Sequence, residues 1–167
     1  MESTHASTIR GLNIATVVTS ALVAALLGFL LAAFAMGGVV LDNPVLRDEA
    51  ALELEVSPED AEVLEYLGIS ADDPMGIARL VLDVAGEYLS AMAICHVITL
   101  VIGIVGIRFS KNPAKLGTLF FWTIVGIIVA LVGYNIVNVV LLIISAVLIH
   151  KDRKEASLPP AGAHMAR

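Results

Sequence analysis

Two adjacent side chains that could do chemistry lie inside an apolar stretch of the sequence. Cys95 and His96 fall within Tyr88–Ile107, which has 20 residues and no formal charge. A thiol beside an imidazole suggests a metal pair, but successive residues of a helix point about 100° apart and do not face one ion. His96 alone therefore remains a candidate for intramembrane chemistry, as a proton carrier, a pH sensor or a ligand.

The helix face that carries His96 is small and polar. It also holds Met92, Thr99 and Gly103. Such faces turn toward neighbouring membrane helices, so Gly103 is a candidate packing residue. The alternative to a functional His96 is a neutral imidazole that is hydrogen-bonded to a neighbouring helix. This structural role is favoured, because no Asp, Glu or second His at membrane depth could continue a proton relay.

Asn138 is the second candidate for an intramembrane functional group, and it could equally hydrogen-bond one helix to another. The sequence has no hydrolase, metalloprotease, P-loop or dinucleotide motif. It also shows no nucleophile–base pair and no metal triad. These patterns predict a protein that is not an enzyme and needs no cofactor or metal.

The elements that position these side chains follow from the longest apolar run, Leu116–Ile149. It has 34 residues without a formal charge, and one straight helix of that length would be about 51 Å long against a hydrocarbon core of about 30 Å. Gly133-Tyr134-Asn135 lies at its middle, where Gly and Asn tolerate left-handed backbone. We expect a hairpin of two spans. A single crossing, which would leave three spans in all, is the alternative.

The sequence thus predicts an all-α fold, a bundle of four transmembrane helices. Its segments are a tail (1–11), span 1 (12–41), an acidic outer segment (42–73), a long helix containing span 2 (74–107), a basic loop (108–115), span 3 (116–132), a turn (133–135), span 4 (136–149) and a tail (150–167).

Charge is distributed unevenly along the chain. Asp42–Glu87 carries 13 acidic and two basic residues, whereas the rest of the chain has a net charge of +5. Short basic segments face the cytoplasm, and Arg108–Lys115 and Lys151–Lys154 are the clearest examples. Both termini are therefore expected in the cytoplasm of a cell-membrane protein. The acidic segment disfavours nucleic acid as a partner.

Span 1 offers a second packing face, because Ala24, Gly28 and Ala32 recur at intervals of four. Close helix packing favours such a stripe, although Ala and Gly are also simply common in this span. Ala33-Phe34-Ala35 has the form of a signal-peptidase site. The run of 30 apolar residues is, however, much longer than a signal h-region of about 7–15 residues.

The acidic outer segment is expected to hold a small helix. Ser57 is a suitable N-cap with Pro58 after it, and Gly68 is a suitable end. The alternation of Leu52–Val56 also allows one short strand. The acidic residues do not have the spacing of a calcium-binding loop, so we expect them to form a solvated acidic surface rather than a calcium site.

The layout resembles small uncharacterised bacterial four-span membrane proteins, classed as domains of unknown function. The resemblance rests on the basic loop, the Lys-Leu-Gly-Thr-Leu-Phe-Phe stretch that begins at Lys115, the Gly-Tyr-Asn turn, the short span Ile136–Ile149 and the Lys-Asp-Arg-Lys tail. The arrangement of spans is also similar to claudins and tetraspanins. The outer-segment Trp and paired Cys of claudins are absent, since the single Trp is Trp122 and the single Cys is Cys95.

Taken together, these features predict a structural or accessory protein that acts through helix packing and the acidic segment. Its expected partners are the lipid bilayer, a second copy of the chain or another membrane protein. The alternative is a small oligomeric transporter or channel subunit with His96 in its pathway.

Overall fold

Four α-helices make up most of the described chain in this computed structural model, which describes residues 4–43, 63, 65, 66, 68 and 74–157. The helices are α1 (Ala6–Asp42), α2 (Pro74–Phe109), α3 (Leu116–Val132) and α4 (Ile136–Ala156), and a short 3-10 helix, Pro113–Lys115, precedes α3. No strand occurs over these residues. The fold is therefore all-helical, as predicted.

The long charge-free run forms two helices that pack against each other. Leu119, near the start of α3, shares an apolar cluster with Ile149, near the end of α4. Ala130, near the end of α3, shares another with Val139, near the start of α4. The two helices are therefore antiparallel, and the chain reverses direction between Val132 and Ile136.

Tyr134 takes the left-handed backbone at this reversal, with φ of 53°. The expectation had placed that conformation at Gly133 or Asn135, but their φ values are −81° and −92°. The N–H of Asn135 donates to the carbonyl of Ala130, and that of Tyr134 to the carbonyl of Leu131. This is the Schellman pattern of helix ends, which requires left-handed backbone at Tyr134.

Gly133 and Asn135 serve other purposes in the turn. A Cβ at Gly133 would lie 2.8 Å from Cys95 Cβ, so the glycine lets α2 approach the end of α3. The side chain of Asn135 accepts a hydrogen bond from the N–H of Asn138 and so caps the start of α4. Both residues are thus explained by contacts rather than by their own backbone freedom.

One compact unit comprises Met1–Ala25 with Met92–Arg167, and it brings all four helices together. In α1 and α4, Asn13 pairs with Ser145 and Ser20 with Asn138. Ser20 follows Asn13 by seven residues in α1, whereas its partner Asn138 precedes Ser145 by seven residues in α4. The two helices are therefore antiparallel neighbours.

Glycines of α2 and α3 lie where these helices contact their neighbours, and these contacts arrange the four helices of this unit in a ring. A Cβ at Gly103 of α2 would lie 2.8 Å from Val17 Cγ2 of α1. A Cβ at Gly126 of α3 would lie 3.1 Å from Ile102 Cγ2 of α2 and equally close to Leu142 of α4. Each helix thus touches its chain neighbour, and α1 also contacts α4. Small residues at the crossings let the backbones approach closely.

The other compact unit, Leu26–Ala91, contains the second part of α1 and the first part of α2. A Cβ at Gly37 would lie 3.5 Å from a methyl group of Leu82. Arg79 forms an ion pair of 2.5 Å with Asp42. Both side chains are more than half exposed, so the pair contributes at most about 1 kcal/mol.

The distribution of polar and apolar side chains differs from that in a water-soluble bundle, because polar side chains are buried together with apolar ones and large apolar side chains are exposed. Asn13, Thr16, Ser20, Thr123 and Asn138 are buried. Large apolar side chains cover the outside of the helices; exposed ones include Leu22, Phe29, Ile94, Ile128 and Val147. Surfaces of this extent and composition belong in lipid.

Three helical stretches are long and apolar enough to cross a bilayer: Ala6–Asp42, Met75–Phe109 and Pro113–Val132. The chain is therefore a membrane protein. The apolar part of α4, Ile136–Ile149, is about 21 Å long and shorter than a hydrocarbon core of about 30 Å.

Most of the acidic outer segment lies outside the described residues, including the strand proposed at Leu52–Val56. Val63, Glu65 and Tyr66 are helical. Gly68 has φ of 76°, and its N–H donates to the carbonyl of Glu65. This is the geometry of a glycine at a helix C-terminus.

Candidate functional site

A line of buried hydrogen bonds joins α1 to α4, and we call it the polar seam. It consists of Asn13, Thr19, Ser20, Asn138 and Ser145. Asn138 is at its centre and is fully buried. Its Nδ2 donates to Ser20 Oγ at 2.7 Å, and Thr19 Oγ1 donates to its Oδ1. Both polar atoms of the Asn138 side chain are therefore satisfied by α1.

Asn13 lies about two helical turns from Ser20, toward the N-terminus of α1. Its Nδ2 donates to the carbonyl of Ile9 at 2.8 Å and reaches Ser145 Oγ at 3.5 Å. Its Oδ1 is buried and has no hydrogen-bond partner within the described part of the chain. The same amide lies against Gly106 of α2, so Asn13 contacts helices on both sides of α1.

Sequence reasoning missed Asn13 and Ser20, although a signal was present. Ile9, Asn13, Thr16 and Ser20 are spaced by four, three and four residues, and all four are buried. This spacing follows one face of a helix. A polar stripe in an otherwise apolar span marks the side that faces other helices.

The predicted stripe of small residues lies elsewhere on α1. Ala24 is half-buried, while Gly28 and Ala32 are exposed, and no atom lies within 4 Å of a Cβ built at Gly28. Gly103, the other candidate packing residue, contacts α1, since a Cβ there would meet Val17. The structure thus gives Gly103 a helix partner within the chain and leaves Gly28 on the surface.

His96 is 3% exposed and lies beside the turn between α3 and α4. Its Cε1 is 3.7 Å from a Cβ built at Gly133. Its Nδ1 is 2.8 Å from the carbonyl of Met92, one turn back in the same helix. Because a carbonyl oxygen only accepts, Nδ1 carries the proton. The imidazole is thus bonded within α2 and sits at the level of the hairpin turn.

Side chains that commonly bind metal ions do not cluster in the part of the chain that the structure describes. Within residues 4–43 and 74–157, no three His, Cys, Asp or Glu side chains are close enough to hold a metal ion. Cys95 is half-buried with a free thiol. The arrangement can therefore hydrogen-bond helices together, and it offers amide and hydroxyl groups rather than a nucleophile with a base.

A third feature is the opposite end of the ring, which we call the basic end. Ile9, Leu116 and Ile149 form one apolar cluster, with Phe109 packed against it. This cluster brings together the start of α1, the end of α2, the start of α3 and the end of α4. The cationic residues there are Arg10, Arg108, Lys111, Lys115, Lys151, Arg153 and Lys154, and all are exposed.

Asp152 is the exception at the basic end, because it is 3% exposed. Its Oδ2 accepts a hydrogen bond from the backbone N–H of His5, just before α1 begins. The carboxylate of α4 thus caps the N-terminus of α1, where the helix dipole favours negative charge. Nearby, Thr4 donates to Glu155 at 3.0 Å. These contacts tie the two ends of the described chain together.

No family model, curated protein or solved structure matches this chain.

Proposed function

We propose that the chain is a non-enzymatic, multi-pass membrane protein with a structural or accessory role. It acts through helix packing and through the acidic segment between α1 and α2. The observation that carries this proposal is the use of the buried polar groups. Asn138 is bonded to Ser20 and Thr19, and the His96 Nδ1 is bonded to Met92. The side chain of Asn138 therefore joins α4 to α1, and the imidazole of His96 is bonded within α2, so both buried groups have partners inside the protein.

The surface of α1 supports association with another membrane helix. Gly28 is exposed, and Phe29 beside it is 71% exposed. A small residue between large apolar ones lets a second helix approach its backbone closely. A second copy of the chain is the proposed partner, and another membrane protein is the alternative occupant of the same face.

Gly28→Leu tests this association. A leucine there should prevent close approach, so crosslinking in membranes should lose the dimer band. Gly117→Leu is the matched control, because Gly117 is also exposed and has no atom within 4 Å of a Cβ. An unchanged crosslinking pattern in the Gly28 variant would exclude this face as the contact.

We also propose four spans, with both termini in the cytoplasm of a bacterial cell. The antiparallel pairing of α3 and α4 supports a hairpin, and the seven cations at the basic end support its orientation. Such a layout fits the small bacterial four-span proteins that the sequence resembles. Labelling of Tyr134→Cys in a Cys95→Ser background should occur from outside, whereas a cysteine introduced at Ser157 should be labelled only after permeabilisation.

The second candidate is a small oligomeric transporter or channel subunit with His96 in its pathway. Burial of an ionisable side chain at 3% exposure is the observation in its favour. The hydrogen bond within α2 and the position beside Gly133 favour a structural His96 instead. A flux measurement with a His96 variant, described in the Discussion, separates the two.

A further inference from the structure

We propose that a groove at the basic end binds the headgroup of an anionic phospholipid. The groove is lined by Ala6, Ser7, Arg10, Gly11, Ile14 and Lys111. The groove is open to the surface and has a volume of about 420 Å³. It lies between the first turns of α1 and the loop that follows α2.

The charges of the groove select an anion. Arg10 comes from α1 and Lys111 from the loop, so two cations of different elements face one space. Among the residues that the structure describes, no acidic side chain lines it. Over the described residues neither cation forms an ion pair. Ser7 adds a hydroxyl donor, and Gly11 leaves the wall free of a side chain.

Two other cations at this end lie over aromatic rings. Lys115 lies over the ring of Phe109, and Arg153 over that of Phe120. Asp152 is buried and bonded to His5. Arg10 and Lys111 are the two cations that line the groove, and they are the ones proposed to meet a phosphate there.

A lipid rather than a free phosphate is favoured by the surface next to the groove. Arg10 continues along α1 into an exposed apolar stripe at intervals of four: Ile14, Val18 and Leu22 are 45%, 51% and 67% exposed. A phospholipid would place its phosphate on the cations and an acyl chain along this stripe. Basic pockets at the ends of membrane helices bind anionic headgroups in this way.

The test uses the full-length protein, delipidated in detergent and titrated with phosphatidylglycerol or phosphatidylcholine under native mass spectrometry. We expect one phosphatidylglycerol to be retained per chain and phosphatidylcholine to bind much more weakly. The double variant Arg10→Gln/Lys111→Gln should lose affinity by about 30-fold. The control Lys151→Gln/Lys154→Gln removes the same charge outside the groove and should keep the affinity.

The proposal would be overturned by retention of phosphatidylglycerol in the groove variant, by an equal loss in the control, or by equal binding of phosphatidylcholine. A further arm adds inorganic phosphate as competitor, which should fail to displace the lipid at equal concentration. Equal competition by inorganic phosphate would show an anion site without lipid specificity and also overturn the proposal. The inference does not depend on association through Gly28, so either proposal can fail alone.

Discussion

The side-chain amide of Asn13 in α1 lies against the backbone of Gly106 in α2, in the space that a Cβ would fill. The same amide reaches Ser145 of α4. One side chain of α1 therefore contacts the neighbouring helices on both sides. Only glycine at position 106 leaves room for it.

Gly106→Ala should therefore destabilise the ring. The added methyl group would overlap the Asn13 amide and force the helices apart, with a loss of about 1–3 kcal/mol. Thermal unfolding in detergent, followed by circular dichroism, measures the effect. Gly117→Ala, where nothing lies within 4 Å, should leave stability nearly unchanged. If the two variants behave alike, the close contact at Gly106 is refuted.

Asn138 and Ser20 should be energetically coupled across the polar seam. Replacing either with alanine breaks the hydrogen bond of 2.7 Å between them. In a double-mutant cycle we expect a coupling of about 0.6 kcal/mol, the average for hydrogen bonds between membrane helices, and at most about 1.7 kcal/mol. In the control cycle, Val140 rather than Asn138 is replaced with alanine, because Val140 is exposed on α4. Additive losses for Asn138 and Ser20 would argue against the seam.

Tyr134→Gly and Tyr134→Ala should differ in stability although both remove the ring. The backbone at this position has φ of 53°, which favours a residue without a Cβ. The glycine variant should be more stable than the alanine variant by about 1 kcal/mol. Comparing these two with each other, rather than with the natural residue, cancels any contact of the tyrosine ring. Equal unfolding temperatures would contradict the left-handed turn.

His96→Ala should lower stability without removing a transport activity. Loss of the buried ring would leave a void beside Gly133 and break the bond to Met92, with an expected loss of about 1–3 kcal/mol. Val97→Ala is the control, because Val97 is 51% exposed on the same helix. Proton and cation flux in vesicles should be absent for the natural protein and for the His96 variant. Flux that is present in the natural protein and lost in the His96 variant would establish a transport function that depends on His96.

The helices of the hairpin could be predicted from sequence because their signals are local. A charge-free run longer than one span must bend or end, and Gly133-Tyr134-Asn135 was its most suitable turn. The left-handed residue could not be assigned from that triplet. Gly133 is required by the approach of Cys95, a contact between residues far apart in sequence. Residue types alone do not show such a contact.

The register between helices was also beyond sequence reasoning. Spacing along α2 placed His96 on an inward face, and the structure shows it buried. Its level beside the hairpin turn depends on how α2 slides against α3, which the pattern of one helix does not encode. The polar stripe of Asn13, Thr16 and Ser20 and the small residues around Gly28 are both visible in the sequence of α1, but spacing alone does not show which of them contacts a helix of the same chain.

The contact between the first and last helices has a consequence for biosynthesis. The hydroxyl of Ser20 and the amide of Asn13 enter the bilayer early, while their partners Asn138 and Ser145 emerge from the ribosome more than a hundred residues later. Until then these groups face lipid or hydrogen-bond to other proteins, and a polar group without a hydrogen bond in hydrocarbon is unfavourable in free energy. A nascent chain whose synthesis stops before α4 thus lacks these partners. Membrane quality control would recognise its first helix by the unsatisfied polar groups.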